Sequence, residues 1–167
     1  MSANDFCLGG FSPALESTDH FKIEKSYDLF IGGEWVKASK QIATTNPATG
    51  ETLAKVGLAG KKEVNQAVRA ARKSYDNVWS KMPAAERGKY LFRIARLIQE
   101  RAREFAVIES MDGGKPIRES RDIDVPLAAA HFFYHAGWAD KLNFAFPGAQ
   151  VNPIGVVGQV IPWNFPL

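Results

Sequence analysis

The 167-residue chain has the length of one domain, and its net charge of +3 with 23% charged residues is an ordinary globular balance. Because the sequence contains no long block of like charges, it does not indicate binding to nucleic acid. The single cysteine, Cys7, excludes an internal disulfide framework and a multi-cysteine metal site, and no run approaches the ~20 apolar residues that span a bilayer. Reducing, cytoplasmic surroundings away from the membrane fit this composition best.

Residues 1–27 mix glycine, serine, proline and aspartate without a sustained period, which predicts an N-terminal extension that is loose or laid over a neighbouring surface. Cys7 lies in this extension. A catalytic thiol needs a rigid pocket with a helix N-terminus or a cation nearby. We therefore do not expect Cys7 to be catalytic.

Short strands and tight turns are predicted before residue 60. Leu29-Phe-Ile and Glu34-Trp-Val flank Gly32-Gly33, which predicts a hairpin because glycine reaches the positive φ of two-residue turns. Asn46-Pro-Ala-Thr-Gly50 predicts a second turn, and the chain from Glu51 to Leu58 is expected to continue as a strand.

Three helices are predicted next. The first runs from about residue 62 to 79, because apolar residues recur along one stripe at helical spacing: Val64, Val68, Ala71, Tyr75 and Val78. The second begins at Pro83 and ends at Gly113-Gly114, and its buried stripe comprises Leu91, Ile94, Ile98, Ala102 and Phe105. The third follows Pro126 from about 127 to 142, and we assign its aromatic residues to packing: Phe132, Phe133, Tyr134 and Trp138.

The sequence contains three histidines, of which His131 and His135 stand one helical turn apart and could hold a metal ion together. No third ligand is identifiable for this pair, aromatic residues surround it, and His20 is remote in sequence. We therefore expect packed core or interface histidines and no metal site.

Residues 143–153 are punctuated by proline and glycine, which is typical of an extended arm between two bodies. The run from Ile154 to Ile161 is apolar, β-branched and bounded by prolines, which predicts a strand buried on both faces of a parallel sheet. Such a strand needs a crossover helix and a second parallel strand, and Leu167 is the last residue. We therefore expect the chain to be part of a longer protein.

Asn164 directly follows this predicted strand, at the carboxyl end where open α/β sheets place ligands, and Pro162 and Pro166 restrict the backbone around it. A rigidly held amide donor can stabilise the oxyanion that forms when a carbonyl is attacked. An asparagine that turns the chain after a strand explains the residue equally well. Both interpretations remain open on the residues alone, and the sequence contains no G-x-G-x-x-G, P-loop or H-E-x-x-H motif.

The segment Gly158-Gln-Val-Ile-Pro-Trp-Asn-Phe-Pro-Leu167 resembles the signature of the aldehyde dehydrogenase superfamily. Four further stretches resemble the family in the same order: Phe30-Ile-Gly-Gly-Glu-Trp-Val36, Asn46-Pro-Ala-Thr-Gly-Glu51, Asp112-Gly-Gly-Lys-Pro116 and Ala136-Gly-Trp-Ala-Asp140. The resemblance covers about residues 28 to 167, and it favours the catalytic interpretation of Asn164.

The resemblance implies oxidation of a small-molecule aldehyde to a carboxylic acid with NAD or NADP. Asn164 would bind the oxyanion, and Val160, Ile161, Pro162 and Trp163 would line the cofactor. Thr44 and Asp112 resemble positions near a monovalent cation site in some members. The nucleophilic cysteine, the glutamate base and the residues that hold the adenosine ribose follow Leu167 in the usual order of the family, so we expect the 167 residues alone to be inactive.

The implied fold is α/β with an incomplete Rossmann-like cofactor domain and an oligomerisation arm. We divide the chain into an extension at 1–27, part of the cofactor domain at 28–142, the arm at 143–153, and the first strand of the Rossmann-like core at 154–167. The arm is short relative to many members, and it implies assembly into a homodimer or homotetramer. A second hypothesis is a non-enzymatic assembly module that pairs with full-length subunits.

Overall fold

The computed structural model describes Ser17 and residues 21–167, so that Cys7 and His20 lie outside the described residues. The strands are β1 (Ser26–Tyr27), β2 (Leu29–Ile31), β3 (Glu34–Val36), β4 (Lys40–Thr45) and β5 (Thr52–Leu58). The helices are α1 (Lys61–Asn77), α2 (Ala84–Glu100), α3 (Ala102–Gly113), α4 (Ile117–Glu119), α5 (Val125–Trp138) and α6 (Leu142–Ala145). None of the helices in this part of the chain is long and apolar enough to cross a membrane.

Strands β1, β5 and β4 form a sheet in that order, with β1 parallel and β4 antiparallel to β5. The predicted turn between β4 and β5 is confirmed: the Asn46 N–H donates to the Glu51 carbonyl at 2.9 Å, and Gly50 has a φ of +76°. Ser26 and Tyr27, assigned from sequence to the extension, instead form β1. The sheet therefore begins earlier in the chain than the sequence predicts.

The predicted hairpin is also confirmed. Leu29 of β2 pairs with Val36 of β3, and the turn residues Gly32 and Gly33 have φ values of +66° and +91°. Glycine is favoured at both positions because other residues rarely adopt these positive φ values. The β2–β3 hairpin forms a sheet of its own beside α1.

The second predicted helix is wrong in one respect, because the structure contains two helices in its place. Arg101 separates α2 from α3, with φ −106° and ψ 20°. Neither glycine nor proline marks this position, so the sequence carries no stop signal there. The bend allows Ile98 from α2 and Ala106 from α3 to enter the same core.

The core lies between α2, α3 and α5. Its buried members are Ile98, Ala106, Val125 and Ala129, with Ala102, Phe105, Ile117 and Phe132 packed against them. A π-helical stretch, Ser120–Asp124, joins α4 to α5 and buries Ser120, whose hydroxyl accepts a 3.1 Å hydrogen bond from Ser110. The helical layer thus has a buried centre, and α5 covers one side of it. As predicted, Pro126 lies at the start of α5.

Two apolar features that the sequence predicts are exposed in the structure. The stripe on α1 faces solvent, with Val64 51% and Val68 50% exposed. In the part of the chain that the structure describes, no strand pairs with residues 154–161, and Ile154 is 91% exposed. The strand predicted from Ile154 to Ile161 is therefore absent, because a parallel strand forms only against hydrogen-bonding neighbours.

The third predicted helix is present as α5, and its aromatic residues divide between core and surface. Phe132 packs on the core and Phe133 contacts Phe92 at 4.9 Å between ring centroids, whereas Tyr134 is 61% exposed. His131 and His135 are exposed. Neither histidine is packed in the core of this chain, and their location in a subunit interface stays a prediction.

The glycine pair at the end of α3 offers a matched stability test. Gly114 has a φ of +72°, and a Cβ there would lie 2.7 Å from Cγ of Pro47, whereas a Cβ at Gly113 would meet nothing within 4 Å. We expect Gly114→Ala to lower the free energy of unfolding by about 1–3 kcal/mol through strain and overlap. Gly113→Ala should be neutral or stabilising by up to about 1 kcal/mol. Urea unfolding measures both, and equal effects would contradict the assigned helix cap.

Candidate functional site

The segment that resembles the family signature lies against α3 and β4. A groove of about 790 Å³ runs between them, with Ile161, Pro162 and Trp163 on one wall and Thr44 and Asp112 on the other. The Thr44 hydroxyl donates a hydrogen bond to Oδ1 of Asp112, which ties the sheet to the end of α3. Three of the four predicted cofactor residues therefore share one groove.

Asn164 borders a smaller cavity of about 210 Å³ beside this groove. The cavity is also lined by Glu109, Lys115, Trp163 and Pro166. Asn164 lies in a turn rather than in a helix or strand, and its side chain is exposed to the solvent. The structure therefore brings the predicted oxyanion donor next to charged side chains for which the sequence predicted no role.

These charged side chains form what we call the ion cluster, defined as Glu109, Lys115 and Asp124. The Lys115 ammonium donates to Oε1 of Glu109 at 3.2 Å and to Oδ2 of Asp124. The exposed fractions of the three side chains are 5% for Glu109, 16% for Lys115 and 7% for Asp124. Buried charges require such pairing, because an unpaired charge away from water is costly.

Local chain geometry explains how the ion cluster forms. Gly114 ends α3 in the left-handed conformation, so the chain reverses and Lys115 lies beside Glu109 of the preceding helix. The π-helical stretch then supplies Asp124 at the start of α5. Lys115 belongs to the family-like stretch Asp112-Gly-Gly-Lys-Pro116, but no role was predicted for its side chain, and Glu109 and Asp124 lie outside the quoted stretches. Burial is what distinguishes the three residues from surface charges.

Burial raises the pKa of the Glu109 carboxyl above its ordinary value of 4.5, and the neighbouring Asp124 raises it further against the opposing effect of Lys115. For Lys115, burial alone would lower the pKa, but hydrogen bonds to Asp124 and Glu109 outweigh it and raise the pKa above 10.5. The cluster therefore keeps Lys115 protonated. Oε2 of Glu109 is buried and has no hydrogen-bond partner among the described residues.

Lys115 also contacts the signature segment directly. Its ammonium lies 4.1 Å from the centroid of the Phe165 ring, within the range of a cation–π interaction. Phe165 is the neighbour of Asn164 in sequence. The ion cluster therefore contacts the segment that carries Asn164, the predicted oxyanion donor.

The predicted cofactor residues present an open apolar surface. Val160 is 98%, Ile161 55% and Trp163 86% exposed, and Pro162 is exposed as well. Across Ser17 and residues 21–167, no cluster of three histidine, cysteine, aspartate or glutamate side chains could hold a metal ion. What the described residues offer is an amide donor, an apolar wall and a buried ion cluster.

The raised pKa of Lys115 predicts a dependence of stability on alkaline pH. Because the folded state binds this proton more tightly than the unfolded state, the stabilisation is complete below pH 10.5 and is lost as pH rises through the higher folded pKa. We expect the free energy of unfolding to fall more steeply as pH rises above 10.5 in the unchanged chain than in Lys115→Met. Identical slopes in urea titrations would contradict the assignment.

Comparison with known proteins assigns the family. The sequence model described as "Aldehyde dehydrogenase family" matches residues 35–167. The chain belongs to the aldehyde dehydrogenase family. The α/β fold expected from the signature is thereby confirmed as the N-terminal part of the aldehyde dehydrogenase fold.

Individual family members agree over most of the chain. Aldehyde dehydrogenase family 2 member B4, mitochondrial, from Arabidopsis thaliana is 39% identical over 96% of this chain and 32% of its own length. Aldehyde dehydrogenase [NAD(P)+] 2 from Saccharomyces cerevisiae is 38% identical over 87% of this chain and 31% of its own. The solved NAD+ complex of an aldehyde dehydrogenase from Bacillus cereus has a TM-score of 0.70 at 36% identity, over 72% of this chain and 25% of that one. The chain thus spans about a third of the length of the relatives it matches.

Proposed function

We propose that these residues form the N-terminal part of an NAD(P)-dependent aldehyde dehydrogenase, which oxidises an aldehyde to a carboxylic acid. The observation that carries the proposal is the placement of Asn164 at a small cavity, with Ile161, Pro162 and Trp163 along the adjoining groove. An amide donor beside an apolar groove suits a reaction in which an attacked carbonyl acquires negative charge next to a flat cofactor ring.

In this proposal Asn164 donates a hydrogen bond to the oxyanion that forms when a cysteine thiolate attacks the aldehyde carbonyl. The exposed apolar surfaces of Val160, Ile161, Pro162 and Trp163 fit a cofactor that binds largely by burying apolar area. The bound NAD(P)+ supplies the hydride acceptor. The thiol and the glutamate base would come from residues that follow Leu167, as in the usual order of the family, since a thiol in the N-terminal extension is not expected to be catalytic.

The remaining features belong to the same proposal. Residues 28–142 would form part of the cofactor domain, and 143–153 an arm used for assembly into homodimers or homotetramers. Residues 154–167, which form no strand here, would become the first strand of a Rossmann-like core only when neighbouring strands pair with them. Exposed Phe144 at 85% and Phe146 at 53% support the assembly role of the arm region. A cytoplasmic location agrees with the single cysteine, although the Arabidopsis relative is named mitochondrial, and cell fractionation distinguishes the two.

The alternative function is an assembly module that pairs with full-length subunits and catalyses nothing itself. The exposed aromatic residues of the arm favour it, because such surfaces mark interfaces. Retention of a stop codon after codon 167, together with co-purification of a full-length partner, would support this alternative.

The deciding experiment is to sequence the DNA past codon 167 and to express the product of the complete reading frame. We expect that product to reduce NAD+ or NADP+ with simple aliphatic or aromatic aldehydes, followed by absorbance of the reduced cofactor. The 167-residue chain alone should show no turnover above blank, because it lacks the family's nucleophile and base. Turnover by the short chain, or inactivity of a complete product with every aldehyde tested, would contradict the proposal.

A further inference from the structure

We propose that Lys115 is a positioning residue: held by Glu109 and Asp124, it seats the Phe165 ring and so fixes the carboxamide of Asn164. This inference rests on the proposed function for its catalytic consequence. The contact on which it depends is a property of the chain itself, and it can be tested without any reaction.

The first step is that Glu109 and Asp124 determine the position of the Lys115 ammonium. Lysine is normally a flexible side chain with a hydrated head group. Here the ammonium contacts two carboxylates that are both more than nine-tenths buried, so its location follows from the packing of α3 and α5. Among the described residues, Lys89 and Lys141 also pair with acids, but their side chains are 61% and 54% exposed.

The second step is that Lys115 transmits this position to the signature segment. The remaining cation–π contacts in the described part of the chain are local: Arg72 with Tyr75, Arg93 with Tyr90, and Arg101 with Phe105. The contact of Lys115 with Phe165 joins segments that are distant in sequence. It is therefore a tertiary contact that fixes the signature segment on the helical layer.

The third step links the Phe165 ring to Asn164. Pro166 follows Phe165 and disfavours helical backbone angles at Phe165, so movement of the ring and of the adjoining peptide are coupled. Asn164, Lys115 and Glu109 line the same cavity of about 210 Å³. A displacement of the ring would therefore shift the amide donor, and a misplacement of about 1 Å can cost about 100-fold in rate.

A simpler role for Lys115 is to neutralise two buried carboxylates, with no effect on Asn164. To separate the two roles, we use a cluster-neutral variant that combines Lys115→Met, Glu109→Gln and Asp124→Asn. This variant leaves no unpaired buried charge, so it should fold, but it removes the cation below Phe165. Phe165→Leu removes the ring and leaves the ion cluster intact.

The test is a double-mutant cycle on kcat in the complete enzyme. We expect Phe165→Leu and the cluster-neutral variant each to lower kcat by about tenfold, with their combination little worse than either, because both remove the same contact. Phe165→Tyr, which keeps the ring, should retain most of the rate, and the control Lys89→Met should retain all of it. Losses that multiply, or a cluster-neutral variant with full kcat, would overturn the inference.

A second measurement applies to the 167-residue chain. We expect a nuclear Overhauser effect between the ε-methylene protons of Lys115 and the ring protons of Phe165. Its absence would refute the contact between the two side chains. If the complete enzyme shows no dehydrogenase activity, the proposed function fails, while the presence or absence of this contact still decides whether Lys115 seats the ring.

Discussion

Replacement of Asn164 by alanine should lower kcat of the complete enzyme by about 10²- to 10³-fold, the usual loss for one oxyanion donor. The reason is that the amide acts on charge that develops only after the carbonyl is attacked, so the aldehyde KM should change far less than kcat. Steady-state kinetics with one aldehyde and saturating cofactor measures both constants.

Asn152→Ala is the matched control for this experiment. Asn152 is an exposed asparagine before the Ile154–Ile161 segment, and it lines neither the groove nor the small cavity. Its replacement should leave kcat unchanged. An Asn164→Ala enzyme with an unchanged rate would favour the turn-forming interpretation of this residue and remove it from the mechanism.

Replacement of Lys115 by methionine should lower the free energy of unfolding of the 167-residue chain by about 3 kcal/mol or more. The substitution leaves the carboxylates of Glu109 and Asp124, 5% and 7% exposed, facing each other without a cation. Urea unfolding near neutral pH measures the loss. It should shrink as the pH is lowered, because burial and the neighbouring Asp124 raise the pKa of Glu109, and protonation of Glu109 relieves the repulsion.

Lys89→Met provides the comparison for this prediction. The Lys89 ammonium lies 2.6 Å from Glu86, a shorter distance than that from Lys115 to Glu109, but both side chains of this pair are about half exposed. Surface pairs of this kind contribute about 0–1 kcal/mol. If the two substitutions destabilise the chain equally, burial is not what makes the ion cluster important.

The elements that could be predicted from the sequence are those fixed by local chemistry. Gly32-Gly33 required positive φ at two successive residues, and Gly114 required a left-handed helix end, so both turns follow from the glycines alone. The break at Arg101 could not be predicted in this way, since an arginine favours helix and the bend is set by packing on the core.

The β-strand pattern of residues 154–161 shows the opposite case. Its composition is that of a strand buried on both faces, but backbone hydrogen bonds need neighbouring strands, and among the described residues none pairs with it. The composition of residues 154–161 therefore favours a strand, but no neighbouring strand is present in the described part of the chain to pair with it. The exposed stripe on α1 has the same explanation, since Val64 and Val68 repeat at helical spacing without a layer to cover them.

The candidate site was predicted in part. The signature resemblance selected Asn164 and its neighbours, and the structure groups Ile161, Pro162 and Trp163 along one groove. The ion cluster was missed because the sequence does not show whether a charged residue faces solvent or the interior. Its members are separated by a turn and a short π-helical stretch, so no helical or strand periodicity places them together. The family-like stretch Asp112-Gly-Gly-Lys-Pro116 includes Lys115, but only the three-dimensional packing shows that its ammonium lies between two buried carboxylates.

The close approach of Pro47 to Gly114 has a consequence for how the family can vary in length. The turn from Asn46 to Gly50 is held against the end of α3 by this approach and by the bond from Thr44 to Asp112. An inserted residue there would separate the sheet from the helices at a corner beside Asn164. Insertions and deletions in natural sequences should instead accumulate between Phe146 and Gln150, where every residue is exposed.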